Sequence, residues 1–297
     1  MTAPLRLRPI PRPPSAHGPS MADNDAIFGC TGTDVFTDRE IWTRIDAELV
    51  RLRTSGRHAI RILDAGCGAG GWLLRVAVRA RDLGFSAIDG RGFDASPQRI
   101  ARAEASRAGA DDPHVGIRFD VAEMMDALGE EDEQSFDIVL CLNDLLNRLA
   151  APERSAAVAE FARVTDGSLF IAVRAAGSVV PPDVAGAERA IRYRQDHEAD
   201  RLTIDLVDGK KVSIPSHLFT AAELQALFAR DFDTCELVGL DLFHTRFAPD
   251  PHWNPATMSG ERIHEALARL EHLCSHDPLF LDHAAHVLLH ARSRTVA

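Results

Sequence analysis

The stretch Ile62-Leu63-Asp64-Ala65-Gly66-Cys67-Gly68-Ala69-Gly70-Gly71 constrains this chain more than any other. An apolar run enters closely spaced glycines, and a helical pattern through Trp72, Leu74 and Val78 follows. Glycine accepts φ > 0 and lets backbone approach a ligand closely. The helix that follows presents free N–H groups and a partial positive charge at its start. Such a corner can cradle a dinucleotide or an adenosyl cofactor. Gly66, Gly68 and Gly71 satisfy G-x-G-x-x-G, a spacing that does not separate the two.

Strands and helices alternate around this corner. His58–Ala65 reads as the first strand, Arg91–Ala95 as the end of a second, Val115–Val121 as a third, and Ser168–Val173 as a fifth. The fourth, Phe136–Leu142, is continuously apolar, as expected of a parallel strand covered on both faces. Ser96-Pro97 opens one helix, with serine as cap and proline in the first turn. Pro152–Val164 is another helix, and Asp166-Gly167 reads as a turn after it. Five such alternations predict an α/β fold with a doubly wound sheet. Ahead of them, Thr37-Asp38-Arg39-Glu40 has a capping-box pattern, and Ile41, Ile45, Leu49 and Leu52 recur at helical spacing. After them, Asp208-Gly209 signals a hairpin between Arg201–Val207 and Lys211–Ile214. Thr220 caps a helix carrying Leu224, Leu227 and Phe228 on one face; Cys235–Leu242 and His286–Ala291 read as late strands, with a helix near Arg262–Leu273 between them.

The 297 residues suit one α/β domain, 25–297, with insertions near 179–218 and 245–282. Six prolines in the first 19 residues mark 1–24 as a disordered tail without the apolar core of a secretory signal, and Met21 is an alternative start. No run reaches the ~20 apolar residues of a membrane span, so no membrane partner is expected. The net charge is -11 and the only lysines are Lys210 and Lys211, which argues against nucleic acid as a partner. The five cysteines are scattered without a C-x-x-C pair, which fits reduced thiols in the cytoplasm.

Asp64, two residues before the first glycine, favours the adenosyl alternative. A carboxylate there would repel a pyrophosphate and attract a ligand bearing an ammonium and a sulfonium. At this point the sequence resembles the class I S-adenosylmethionine-dependent methyltransferases, with Leu63–Gly70 as their cofactor loop. The resemblance covers residues 58–175 and implies a Rossmann-like methyltransferase fold: a doubly wound, seven-stranded, mostly parallel sheet, here with an N-terminal helix and inserted hairpin and helix lid elements. It implies S-adenosyl-L-methionine as cofactor, with Asp64, Gly66, Gly68 and Gly70 at its methionine end. Asp94, next to Ser96, looks like the acid that binds both ribose hydroxyls, since a carboxylate has two acceptor oxygens. Asp120 looks like the acceptor of the adenine amine, with the Val121 N–H available to the ring. Asn143 and Asp144 follow the fourth strand, where the family lines its methyl-transfer pocket, and Leu142 at the strand's end is a further cofactor-site candidate. Gly68 to Asp94 is a longer gap than usual in the family, with Arg81–Gly90 as the extra piece and Asp89 as the competing acid. Val35–Glu40 and Cys141-Leu142-Asn143 are also reminiscent of chemotaxis receptor glutamate methyltransferases, which keeps protein carboxyl methylation as a minor alternative.

Methyl transfer from a sulfonium rests mainly on orientation, which supplies roughly 7–11 kcal/mol, so no fixed catalytic motif is required. An O, N or S acceptor on a small molecule is the expected substrate, because the Asn-Pro-Pro-aromatic and Asp-Pro-Pro-aromatic signatures are absent after Leu142. His217 and His244, near predicted strand or loop ends, are candidate bases. The insertion Arg192–His217 is a candidate lid. The C-terminal histidines, His264 to His290, lack zinc-site spacing, so no metal is expected. Phe247 and Trp253 are candidate pocket walls, though ordinary core packing is favoured for them. Two rival readings stay open: an NAD(P)-dependent oxidoreductase and a non-catalytic S-adenosylmethionine-binding regulator. Oligomeric state is not legible.

Overall fold

All six residues of Phe136–Cys141 are buried, so this strand must sit inside a sheet with cover on both faces. Strands are numbered along the chain, and this one is β4. β1 (Ala59–Ala65) lies on one side of it, followed outward by β2 (Ala87–Asp94) and β3 (Val115–Val121). On the other side lie β5 (Thr165–Arg174), β10 (His286–Ser293) and β9 (Phe232–Leu240). The seven-stranded order is therefore β3-β2-β1-β4-β5-β10-β9. The first five strands run parallel, and β10 is antiparallel to both of its neighbours. The computed structural model describes residues 35–107, 112–178, 189–243 and 261–294. The expected tail 1–24, His244, Phe247 and Trp253 lie outside the described residues.

Helices α1 (Val35–Thr54), α2 (Gly71–Asp82) and α3 (Pro97–Arg107) cover one face of the sheet. Helices α4 (Met124–Gly129), α5 (Ala151–Val164) and α6 (Ala221–Ala229) cover the other. Two further helices, α7 (Glu261–Cys274) and α8 (Pro278–Leu281), precede β10. Ile41, Ile45, Leu49 and Leu52 are all buried against the first core, as their spacing predicts. Each such side chain stabilises the fold by about 1.5–3 kcal/mol relative to exposure. Thr220 caps α6, its hydroxyl accepting from the Glu223 N–H at 3.2 Å.

A second sheet, β6-β7-β8, is antiparallel and lies between β5 and α6 in sequence: β6 (Ala190–Asp196), β7 (Arg201–Leu206) and β8 (Lys211–Pro215). The Asp208-Gly209 turn joins β7 to β8, with Gly209 at φ +80°. Leu202, Ile204 and Leu206 form the buried face of this sheet, with Ala190 and Ile214 packed on it. The expected hairpin is thus three-stranded, because β6 completes it.

Trp72, Leu74 and Val78 all lie in α2, whose buried residues are Trp72, Leu73, Val76, Ala77 and Ala80. Three local expectations need correction. Helix α1 begins at Val35 rather than at a Thr37 cap. Arg81–Gly90 is no inserted loop, because β2 already starts at Ala87 and carries Asp89 mid-strand, leaving Asp94 at its carboxyl end. Asp166-Gly167 does not turn the chain. It lies inside β5, where Thr165 pairs with Phe136 and Ser168 with Ile138, so β5 carries one extra residue as a bulge.

The bulge works because Gly167 has no side chain: a Cβ there would collide with the Asp137 carbonyl oxygen. Backbone cannot retreat as a side chain can. Gly167→Ala is expected to cost about 1–3 kcal/mol, measured by urea denaturation; a loss under ~0.5 kcal/mol would count against the bulge as described.

Candidate functional site

The sheet order reverses between β1 and β4, whose crossovers leave to opposite faces. In open α/β sheets, ligands bind in the crevice outside the carboxyl ends of strands at that point. The glycine loop follows β1 and Asn143 follows β4, so both edge the crevice. The Asn143 Nδ2 donates to the Gly66 carbonyl at 2.5 Å and ties the two strand ends together. Gly66 and Gly70 have φ of +70° and +81°. A Cβ on Gly66 would meet Leu145 at 2.6 Å, and one on Gly70 would meet Phe119 at 2.6 Å. Beside Gly68, by contrast, the nearest atom to such a Cβ is the Asn143 Nδ2 at 3.8 Å. The loop is closed beneath and open toward the crevice.

Asp64 is 1% exposed, and its Oδ2 has no hydrogen-bond partner. Burial raises its pKa to about 7, the nearby Asp94 adds to the rise, and the Leu73 N–H in the first turn of α2 offsets part of it. A buried, unsatisfied carboxylate oxygen is costly unless a ligand completes it. Asp94 is also buried. Its Oδ2 accepts from the Gly68 N–H at 3.1 Å and its Oδ1 from the Ser96 N–H at 2.8 Å. Asp94 therefore fixes the glycine loop and the start of α3 together, while Ser96 Oγ accepts from the Arg99 N–H at 3.4 Å.

Asp120 sits at the end of β3, opposite Phe93, with its side chain 43% exposed. Its Oδ2 accepts from Arg91 Nε at 3.2 Å, and Arg91 also pairs with Glu130 and Glu131. Val121 is exposed beside it, while Leu142 is buried. The Cys67 thiol registers all three acids. Burial pushes its pKa well above the usual thiol range, and Asp64, Asp94 and, more weakly, Asp120 push it further. Asp64 and Asp94 thus border the loop directly, with Asp120 at the end of the next strand outward. Cys67 itself is an inert thiol.

The structure adds residues on the other half of the rim. Asp144 is buried in the left-handed region, at φ 54°. Its Oδ2 lies 3.5 Å from His286 Nε2, and its Oδ1 has no hydrogen-bond partner. His286 pairs in register with Arg174, so the amino end of antiparallel β10 meets the carboxyl end of β5. Asn147 clamps this edge: its Oδ1 accepts from the Arg174 N–H at 3.0 Å, and its Nδ2 donates to the carbonyls of Arg174 and His217 at 3.1 and 2.6 Å. The sequence marks His286 only as the first residue of a late strand and as one of the C-terminal histidines, and nothing there pairs it with Asp144.

His217 Nδ1 lies 2.7 Å from Asp200 and its Nε2 2.9 Å from Glu223. Both ring nitrogens therefore face carboxylates. Asp200 also accepts from Arg154, at 3.2 Å to Nη2. His217 therefore links the β6–β7 connection to α6. Of the C-terminal histidines, His276 Nε2 lies 2.7 Å from Arg44 Nη2, and His290 faces Glu236, whose pKa is held down to about 2 by His290 and Arg44. A cavity of about 510 Å³ lies there, lined by Arg39, Glu40, Arg44, Glu236, His272 and His276 among others; it shares no lining residue with the glycine loop. Among the described residues, no group of three or more histidine, cysteine or acidic side chains is disposed to hold a metal ion. Nor, among them, is any helix long and apolar enough to cross a membrane.

Residues 62–167 match the family model of a methyltransferase domain. No curated protein matches the chain. Similar solved structures include a SAM-dependent methyltransferase from Methanosarcina mazei, 16% identical, covering 82% of this chain and 96% of that one with a TM-score of 0.48. Another, from Archaeoglobus fulgidus, is 12% identical over 88% of this chain and 100% of that one, with a TM-score of 0.43. A third, magnesium protoporphyrin IX methyltransferase from Synechocystis with bound SAM, is 13% identical over 91% of this chain and 89% of that one, with a TM-score of 0.44. The match begins within β1 and ends in β5, so it spans the glycine loop, Asp94, Asp120 and Asn143. Over that segment the chain is similar to a methyltransferase domain, and the segment holds the strand ends that border the crevice.

Proposed function

We propose that the protein methylates an O, N or S atom of a small molecule, with S-adenosyl-L-methionine held along the β1–β4 crevice. The observation that carries the reading is the acid set around the glycine loop, with a buried Asp64 oxygen that no protein group satisfies. A ligand with an ammonium group completes that oxygen; a dinucleotide pyrophosphate would face it with like charge, which disfavours the oxidoreductase alternative. The cofactor fits the residues present: the loop is open beside Gly68, and acceptors stand at the end of each strand it would cross.

In this reading Asp64, Gly66, Gly68 and Gly70 hold the methionine end. Asp94 has lone pairs left after its two backbone bonds and takes the ribose hydroxyls. Asp120 and the Val121 N–H take the adenine, with Arg91 steering the Asp120 carboxylate. Leu142 and Asn143 border the transfer point, and the Asn143 bond to Gly66 keeps β4 in register with the loop. When bound, the cofactor supplies a methyl group on a cationic sulfur. The residues of this chain orient it and exclude water.

The inserted sheet β6-β7-β8 acts as a lid over the acceptor side of a single domain. Its anchors support this: Asn147 and Arg174 follow β4 and end β5, and both bond to the His217 and Ser216 segment behind β8. Asp200 and Glu223 grip His217 as a brace, so it serves as a base only if one of them lets go. His244 is the other candidate base. Cys67, Cys141 and Cys274 are free thiols, which supports a cytoplasmic site of action.

Calorimetry with S-adenosylhomocysteine tests the reading. The wild type is expected to bind, and Asp94→Ala to weaken binding at least about tenfold, since hydrogen bonds to charged groups are worth about 1.5–3 kcal/mol. Absence of binding to the wild type, or unchanged affinity in the variant, would sink it.

Asp64 gives a second test. Its pKa rises from 3.8 to about 7 on folding. Between those values the native state keeps a proton that the unfolded chain releases, so this group lowers stability as pH rises, and the cost is complete above about 7. Thermal melts of the ligand-free protein should therefore show Asp64→Asn gaining on the wild type from pH 4 to 7. Parallel melting curves across that range would refute the assignment.

A further inference from the structure

The rim has two halves. Asp64 and Asp94 serve the β1–β2 half, where the proposed function puts the cofactor; Asp144 serves the half formed by β4, β5 and β10. His286 meets Asp144 from two strands beyond β4, so the Asp144 carboxylate faces the β5–β10 half, which the cofactor placement above leaves to the acceptor. Three observations mark it as built to meet a ligand. Its backbone is held at φ 54°, a conformation that non-glycine residues rarely adopt and that asparagine and aspartate tolerate best. Its side chain is buried, 8% exposed, with Oδ2 facing His286 and Oδ1 left without a hydrogen-bond partner. The nearby Cys141 thiol is also pushed up by burial first and then by the charges of both Asp64 and Asp144, so both carboxylates act on the end of β4.

We propose that Asp144, seated by His286, is a specificity-determining residue that selects positive charge on the acceptor side of the transfer point, so that the acceptors of this enzyme are amines. The proposal rests on the cofactor placement given above. An alcohol or thiol supplies no charge to match a buried carboxylate oxygen, whereas an ammonium does; that ammonium gives one proton to Asp144 Oδ1, and its freed nitrogen lone pair then takes the methyl carbon as the carbon–sulfur bond breaks. His286 keeps Oδ2 occupied and leaves Oδ1 as the group that meets the acceptor. Asn143 on one side and Arg174 on the other, both fixed by backbone bonds, hold the walls of this half in place.

The probe is sinefungin, which carries an amine where the cofactor carries its methyl-sulfonium, set against S-adenosylhomocysteine, which carries no charge there. Calorimetry on the wild type, Asp144→Asn and Asp64→Asn separates the possibilities. Asparagine keeps the shape of Asp144 and tolerates its positive φ, so the backbone is retained. The wild type is expected to bind sinefungin more tightly than S-adenosylhomocysteine. Asp144→Asn is expected to weaken sinefungin at least about fivefold and to leave S-adenosylhomocysteine within about twofold, which also reports a folded protein. Asp64→Asn is expected to weaken both ligands together, because it lies on the cofactor side. Equal effects of Asp144→Asn on the two ligands, or no effect on either, would overturn the inference and leave the cofactor site standing. A wild type that binds neither would overturn the cofactor site itself, and this inference with it.

Discussion

The divergence of the chain between β1 and β4 is the constraint from which the rest follows. β4 is apolar on both sides and must lie deep in the sheet, so its neighbours and their crossovers are forced to opposite faces. The two strand ends then leave a gap that neither crossover fills. The Asn143 amide spans that gap to the Gly66 carbonyl, and the left-handed glycines beside it keep the loop clear of side chains. Leu145 and Phe119 occupy the space that larger residues at Gly66 and Gly70 would need. Packing below and openness above are therefore two consequences of the same turn.

Electrostatics sets the second level. Asp94 is satisfied by two backbone N–H groups and works as a structural hub, whereas Asp64 keeps one oxygen unsatisfied in a dry position. The contrast separates an acid that shapes the loop from one that waits for a counter-charge. Arg91 shows how the protein handles the third: a buried guanidinium shared among Asp120, Glu130 and Glu131 lets Asp120 reach the rim without crowding the other two.

Much of this was legible from residues alone because it is local. The strand-to-glycine-to-helix corner, the spacing of Ile41, Ile45, Leu49 and Leu52, and the Ser96-Pro97 helix start each follow from a few neighbouring residues. Asp94 was legible as a strand-end acid, although its second role as organiser of Gly68 and Ser96 was not. The readings that failed had a common cause. Asp166-Gly167 has the composition of a turn, but pairing with β4 outweighed local preference and absorbed the extra residue as a bulge. Arg81–Gly90 reads as an extra piece because Gly68 to Asp94 is a long gap, yet pairing with both β1 and β3 holds its Ala87–Gly90 end as strand.

The sequence by itself determined the α/β class, the corner that meets the ligand, and the acids at three strand ends, because each is written in short-range periodicity and residue type. Only the tertiary structure decided that β6 joins the hairpin, that His217 is gripped by Asp200 and Glu223, and that His286 stands against Asp144. Those partners lie 17, 6 and 142 positions apart along the chain. No local pattern encodes which strand edges meet: that choice belongs to the global sheet order, where a single antiparallel strand carries its first residue to the rim on which the parallel strands end.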